Sequence, residues 1–142
     1  MRLLFASIHS YLDPASGAAI STRELLEALA ARGMDCRVLC GGVLDYEQET
    51  QPEEVLAKLG VAAPPRVAAV LSEGPEAEVI DCALGGVRVT TMPTRSSRAE
   101  RSPDRREAET FLDLAEQVFE RFRPDVLLTY GGHPASLELM RR

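Results

Sequence analysis

The chain has 142 residues, of which 45% are hydrophobic and 27% charged, with a formal net charge of −6. That length sets an expectation of one domain with a sizeable core, and the acidic balance disfavours a general nucleic-acid binder, which would normally be basic. No apolar stretch approaches the roughly eighteen residues of a membrane span, and Met1 and Arg2 lead straight into an apolar run with no signal peptide before it, so the expected localisation is cytoplasmic.

Residues 3–8 (LLFASI) show no polar alternation, which predicts a strand buried on both faces, as in a parallel sheet. The loop after it contains the turn formers Asp13, Pro14, Ser16 and Gly17. Two starts fit the helix that follows. Ser21 with Glu24 matches a capping box, and Ile20 with Leu25 a hydrophobic staple. Alternatively the helix begins near Ala18 with Ser16 as N-cap. A ligand site favours the earlier start, which turns the Gly17 and Ala18 amides outward. Gly33 ends the helix as an αL cap, and Cys36–Cys40 reads as a second buried strand. Such a crossover puts the loop at the carboxyl end of the first strand, where open α/β sheets hold their ligands.

Residues 41–65 read as loop around a short helix, Pro52–Leu59, with Pro in its first turn and Gly60 as its stop. RVAAVLS (66–72) reads as a third strand. The runs EVIDCAL and VRVTTMP flank Gly85 and Gly86 as a hairpin, expected at an edge of the sheet or projecting from it. Thr94–Glu107 carries Arg95, Arg98, Arg101, Arg105 and Arg106 and no large apolar residue. It reads as a solvated loop. The same Arg forks also suit an anion-binding lip, since they recognise phosphate and carboxylate bidentately. Ala108–Arg123 is the clearest helix, with Phe111, Leu112, Ala115, Val118, Phe119 and Phe122 on one face. Pro124 and Asp125 break it, DVLLTY is the last buried strand, Gly131 and Gly132 make a turn, and Pro134 opens a final helix. The chain reaches Arg142 in or just after that helix, which sets an expectation that it is a piece of a longer protein. Cys36 and Cys40 stand about 13 Å apart along one strand, too far for a disulfide or a shared metal. All three Cys are expected to be buried apolar side chains.

With the first strand central, the second on one side and DVLLTY on the other, a topological switch point forms at the carboxyl ends of those strands. His9, Ser10, the Ser16-Gly17-Ala18 turn, Tyr130, Gly131, Gly132 and His133 all reach it. His9 also fits a loop residue bonded to backbone, and His133 a helix-start residue beside Pro134. No third His or suitably placed Cys joins them, so no metal is expected. The chain lacks G-x-G-x-x-G, a P-loop and a G-x-S-x-G elbow, and no pair of acids suits glycoside hydrolysis. Asp13 stands alone after the first strand and Lys58, the one Lys, lies in the wrong segment for a phosphoacceptor receiver. The expected fold is α/β: a Rossmann-like, mostly parallel sheet with helices on both faces and a β-hairpin addition.

The order MRLLFAS, Gly-containing loop, ELLEALAARG, DCRVL, a hairpin ending in MPTRSSR, and PDVLLTYGGHPAS resembles the N-terminal domain of a GT-B fold retaining glycosyltransferase of the family 4 type. The resemblance covers nearly the whole chain. It implies that residues 1–142 form the acceptor-side domain, and that a C-terminal domain binding most of the nucleotide-sugar donor, with its pair of glutamates, is absent from this chain. The family's turn after the first strand is usually Gly-Gly; here it is Ser16-Gly17, and only Gly17 matches. The resemblance assigns Ser16, Gly17, Ala18, Gly131 and Gly132 to the donor-phosphate side of the cleft. His9, Ser10, Arg95 and Arg98 fall to the acceptor side. The family often places a His at the end of the strand corresponding to DVLLTY. Alignment puts Tyr130 there and His133 three residues later, so both are catalytic candidates. The implied partners are a nucleotide-sugar donor, a sugar or lipid-linked acceptor, and the second domain; no cofactor or metal is implied. A nucleotide-sugar epimerase half and a stand-alone α/β ligand-binding module are the alternatives.

Overall fold

The computed structural model describes residues 1–46, 48–69, 71, 76–94, 103–130 and 134–141. Its centre is β1 (Arg2–His9), in which six consecutive residues are buried. On one side β1 pairs in parallel with β2 (Asp35–Val43). On the other it pairs in parallel with β6 (Val126–Leu128), Leu3 opposite Val126 and Phe5 opposite Leu128. The six-stranded order is β3-β4-β5-β2-β1-β6, with β3 at Val67–Ala69, β4 at Ala77–Leu84 and β5 at Val87–Thr91. The fold is therefore α/β with a mostly parallel, mixed sheet.

Helices cover both faces. On one side lie α1 (Gly17–Ala31) and α2 (Pro52–Lys58), whose Leu26, Val55 and Leu56 pack with Phe5, Val38, Cys40 and Val89. On the other lies α3 (Arg105–Phe122), whose Phe111, Leu114, Ala115 and Phe122 pack with Leu4, Ala6, Ile8 and Leu39. Alternate residues of β1 and β2 feed opposite layers, which is why neither strand alternates apolar with polar. Burying each such Leu, Ile or Phe contributes about 1.5–3 kcal/mol. The short α4 (Pro134–Glu138) closes the second layer. Its Ser136 Oγ accepts a hydrogen bond from the Ile8 amide at 3.2 Å and lies 3.5 Å from Ser7 Oγ, which fastens α4 to the end of β1.

The earlier start of α1 holds: Ser16 is its N-cap and accepts from the Ala19 amide. Other expectations change. Of the expected third strand, Val67–Ala69 is strand and runs antiparallel to β4 at the sheet's edge, while residues 70 and 72 lie outside the described residues. The hairpin is present, with Gly85 and Gly86 both at positive φ in its two-residue loop, but it neither projects nor forms the edge. Its β5 lies inside the sheet, antiparallel to β4 and parallel to β2, because Val87 and Val89 bury against the α1 layer. The Arg-rich run is not all loop. Asp104 caps α3 and Glu107 reaches back to the Asp104 amide at 2.9 Å, so the helix begins at Arg105. The last strand keeps three of the six residues of DVLLTY. Cys36 and Cys40 are buried as expected, whereas Cys82, near the hairpin end, is only partly buried against the α1-side core.

One irregularity lies at the carboxyl end of the central pair. Between the partners Ser7–Cys40 and His9–Val43, β2 runs one residue longer than β1. The surplus falls at Gly41 and Gly42. A Cβ at Gly41 would run into the Ile8 carbonyl oxygen, and the Gly42 amide donates to Thr94 Oγ1 at 2.9 Å.

Candidate functional site

Beyond His9 the chain is braced rather than loose. The Ser10 amide donates to the Val43 carbonyl at 2.7 Å, and Ser10 Oγ accepts from the Leu12 amide at 3.2 Å. Asp13 is 2% exposed and accepts two backbone amides, Ala15 at 2.8 Å and Asp45 at 2.7 Å. From α1, Arg23 Nη1 donates to the carbonyls of Tyr11 at 2.8 Å and Asp13 at 3.2 Å. A buried carboxylate and a guanidinium thus fix the loop between β1 and α1 and tie it to the segment after β2. Charge-assisted bonds of this kind are worth about twice a neutral one.

The loop delivers the chain to Ser16, whose hydroxyl is occupied by the Ala19 amide. Gly17 and Ala18 are exposed, and a Cβ at Gly17 would meet nothing within 4 Å. Their amides are among the unsatisfied donors every helix start carries, at the positive end of the helix dipole.

Across the end of β1, Tyr130 packs its ring on Phe5, centroids 5.0 Å apart, and lies 6.1 Å from the His9 ring. The Tyr130 hydroxyl is buried with no hydrogen-bond partner among the described residues, as is that of Tyr11. Burial pushes the ionisation of both phenols well above the ordinary tyrosine value, so both remain neutral donors.

The structure brings His9, the Ser16-Gly17-Ala18 turn and Tyr130 to one end of the sheet, at the switch point between β1 and β6. Ser10 reaches the same end but is buried, with its hydroxyl engaged by Leu12, so it braces the loop rather than facing an acceptor. Ser16 likewise serves the helix. His133, Gly131, Gly132, Arg95 and Arg98 lie outside the described residues. Arg23 and the buried phenol of Tyr11 give no signal in the sequence, where Asp13 shows only as a turn former and a lone acid after the first strand. Arg23 sits on α1 two turns past Ser16, a spacing that signals nothing until the loop is seen to fold back over it. Among the described residues no three His, Cys, Asp or Glu side chains gather as a metal site, and no helix is long and apolar enough to cross a membrane. No protein-family model matches the chain, and no curated protein sequence matches it.

Proposed function

We propose that this chain is the acceptor-side domain of a retaining glycosyltransferase of the GT-B kind, which moves a sugar from a nucleotide-diphosphate sugar to an acceptor hydroxyl in the cytoplasm. The observation that carries the reading is the β1–β6 switch point, where the rings of His9 and Tyr130 lie 6.1 Å apart and the loop after β1 leads to the open N-terminus of α1. In the reaction the bond between the anomeric carbon and the phosphate oxygen breaks, and its electron pair leaves with the diphosphate. The acceptor oxygen bonds to the anomeric carbon on the face the diphosphate leaves, and its proton passes to the departing diphosphate oxygen. The charge gained by the diphosphate is met by the Gly17 and Ala18 amides, prearranged at the helix start. Tyr130, a neutral phenol, donates toward the sugar, and His133 holds its hydroxyls. His9 and the Arg95–Arg98 segment form the acceptor side. A second Rossmann-like domain supplies the opposite wall, the glutamate pair and most of the donor contacts.

A magnitude makes this testable. A helix N-terminus contributes at most about 2 kcal/mol to an anion, whereas a millimolar complex already needs about 4 kcal/mol. Residues 1–142 alone are therefore expected to bind a nucleotide sugar no tighter than about millimolar, with NMR shifts centred on Gly17, Ala18 and Tyr130. Sub-micromolar binding of UDP-glucose by this chain alone, or shifts confined to another face, would overturn the reading. Reading the gene past Arg142 tests it again: a second β-α-β pattern with paired glutamates is expected.

A further inference from the structure

We propose that the sheet face beneath the last turn of α3 is a second binding site, a groove for a small multivalent oxyanion. It measures about 450 Å³ and is lined by Arg37 of β2, Arg88 and Thr90 of β5, Asp81 of β4, and Arg121 and Phe122 of α3. It lies toward the starts of β2 and β5, at the opposite end of the strands from Ser16–Ala18, and does not depend on the function proposed above.

Arg37 and Arg88 are direct partners across the β2–β5 pair, on strands about 4.8 Å apart. Their neighbours Val38 and Val89 are buried in the α1 layer, so both guanidiniums emerge on the α3 face. Like charges directly opposite on one sheet face are destabilising. The third guanidinium, Arg121, comes to the same groove from the helix. In a chain with a net charge of −6 this concentration runs against the overall balance. Two carboxylates moderate it. Asp35 lies 3.5 Å from Arg37, and Asp81 accepts from Thr90 Oγ1 at 2.5 Å. No described carboxylate forms an ion pair with Arg88 or Arg121.

The groove is also prearranged. Arg37 is held by Asp35 and by the Phe122 ring, 4.2 Å below its guanidinium. Its Nε is buried with no hydrogen-bond partner among the described residues. Arg121, in the last turn, offsets the negative pole of α3 that an anion would otherwise meet. Guanidinium forks from three elements suit a ligand with several oxygens, a phosphate ester or a polycarboxylate.

The test is an NMR titration of the 142-residue chain at fixed ionic strength with pyrophosphate in one arm, citrate in another and chloride as control. Saturable shifts at the Arg37, Arg88 and Arg121 side-chain N–H groups and the Thr90 amide are expected. Arg88→Gln and Arg121→Gln, both at exposed positions, are each expected to raise the dissociation constant by about tenfold or more. Arg105→Gln, at the other end of α3, should leave it unchanged. Tighter pyrophosphate binding assigns a phosphate ligand and tighter citrate binding a carboxylate. The proposal falls if neither anion saturates by tens of millimolar, if the Arg88 and Arg121 variants bind as the parent does, or if the shifts sit at Gly17 and Ala18 instead.

Discussion

Asp13 ties the loop that leads from β1 to the start of α1 to the segment after β2. Removing its carboxylate strips the acceptor from the Ala15 and Asp45 amides at once. Asp13→Ala is expected to lower stability by about 2–3 kcal/mol, read from urea unfolding, and Asp13→Asn by less, since its carbonyl retains one amide. The thiols make a second prediction. Burial pushes the Cys40 thiol up to about 11; it raises the Cys82 thiol too, but Cys82 is only partly buried and open to a reagent. A thiol reagent should therefore modify Cys82 in the native protein, and Cys36 and Cys40 only after unfolding. As pH rises past about 9, the unfolded chain sheds its thiol protons before the folded one does, so stability falls from pH 9 toward 11. Cys40→Ala should flatten that fall in denaturant titrations across the window; an unchanged slope would assign the effect to other groups. Asp13 and Cys82 mark what single residues concealed. A turn former looks alike whether it is exposed or a buried strut. Burial of a strand residue near a hairpin end depends on how far the covering helices extend.

Elements were more legible than residues where a physical pattern was complete. The apolar stripe from Phe111 to Phe122 and the Ser16 cap each predicted a helix that formed. The start of α3 was placed three residues late because the run before it lacks apolar residues, although Asp104 and Glu107 spell a capping box. Asp104→Ala should cost about 1 kcal/mol, visible as a lower midpoint of thermal unfolding. At the other end Arg123 holds φ 49°, a left-handed conformation that a Cβ disfavours. Arg123→Gly is expected to add roughly 0.5–1 kcal/mol by the same assay; a loss would mean the side chain contributes more than the strain removes. The placement of β5 was not legible. Local pattern shows that a hairpin exists, but which outer edge finds a parallel partner is decided by burial against α1, far away in sequence.

For the whole molecule, the placement of β1 between β2 and β6 followed from chain order and the both-faces-buried pattern, and with it the position of the cleft. Amide exchange should be slowest in β1, β2 and β5 and fast in β3 and β6, three residues each; protection in β3 equal to that in β1 would contradict this layering. The extra residue of β2 at Gly41 and Gly42 was not visible in the sequence, and it bears on the gene as much as on the protein. Exchanging either glycine perturbs one contact. Losing one codon there does something of another order. It makes the two strands match step for step, turns Val43 onto the opposite face and carries Asp45 away from Asp13, while every pair before Cys40 stays as it was. A deletion of three bases would thus leave the paired strands before Cys40 whole and undo the brace on the loop that leads to the proposed diphosphate contacts.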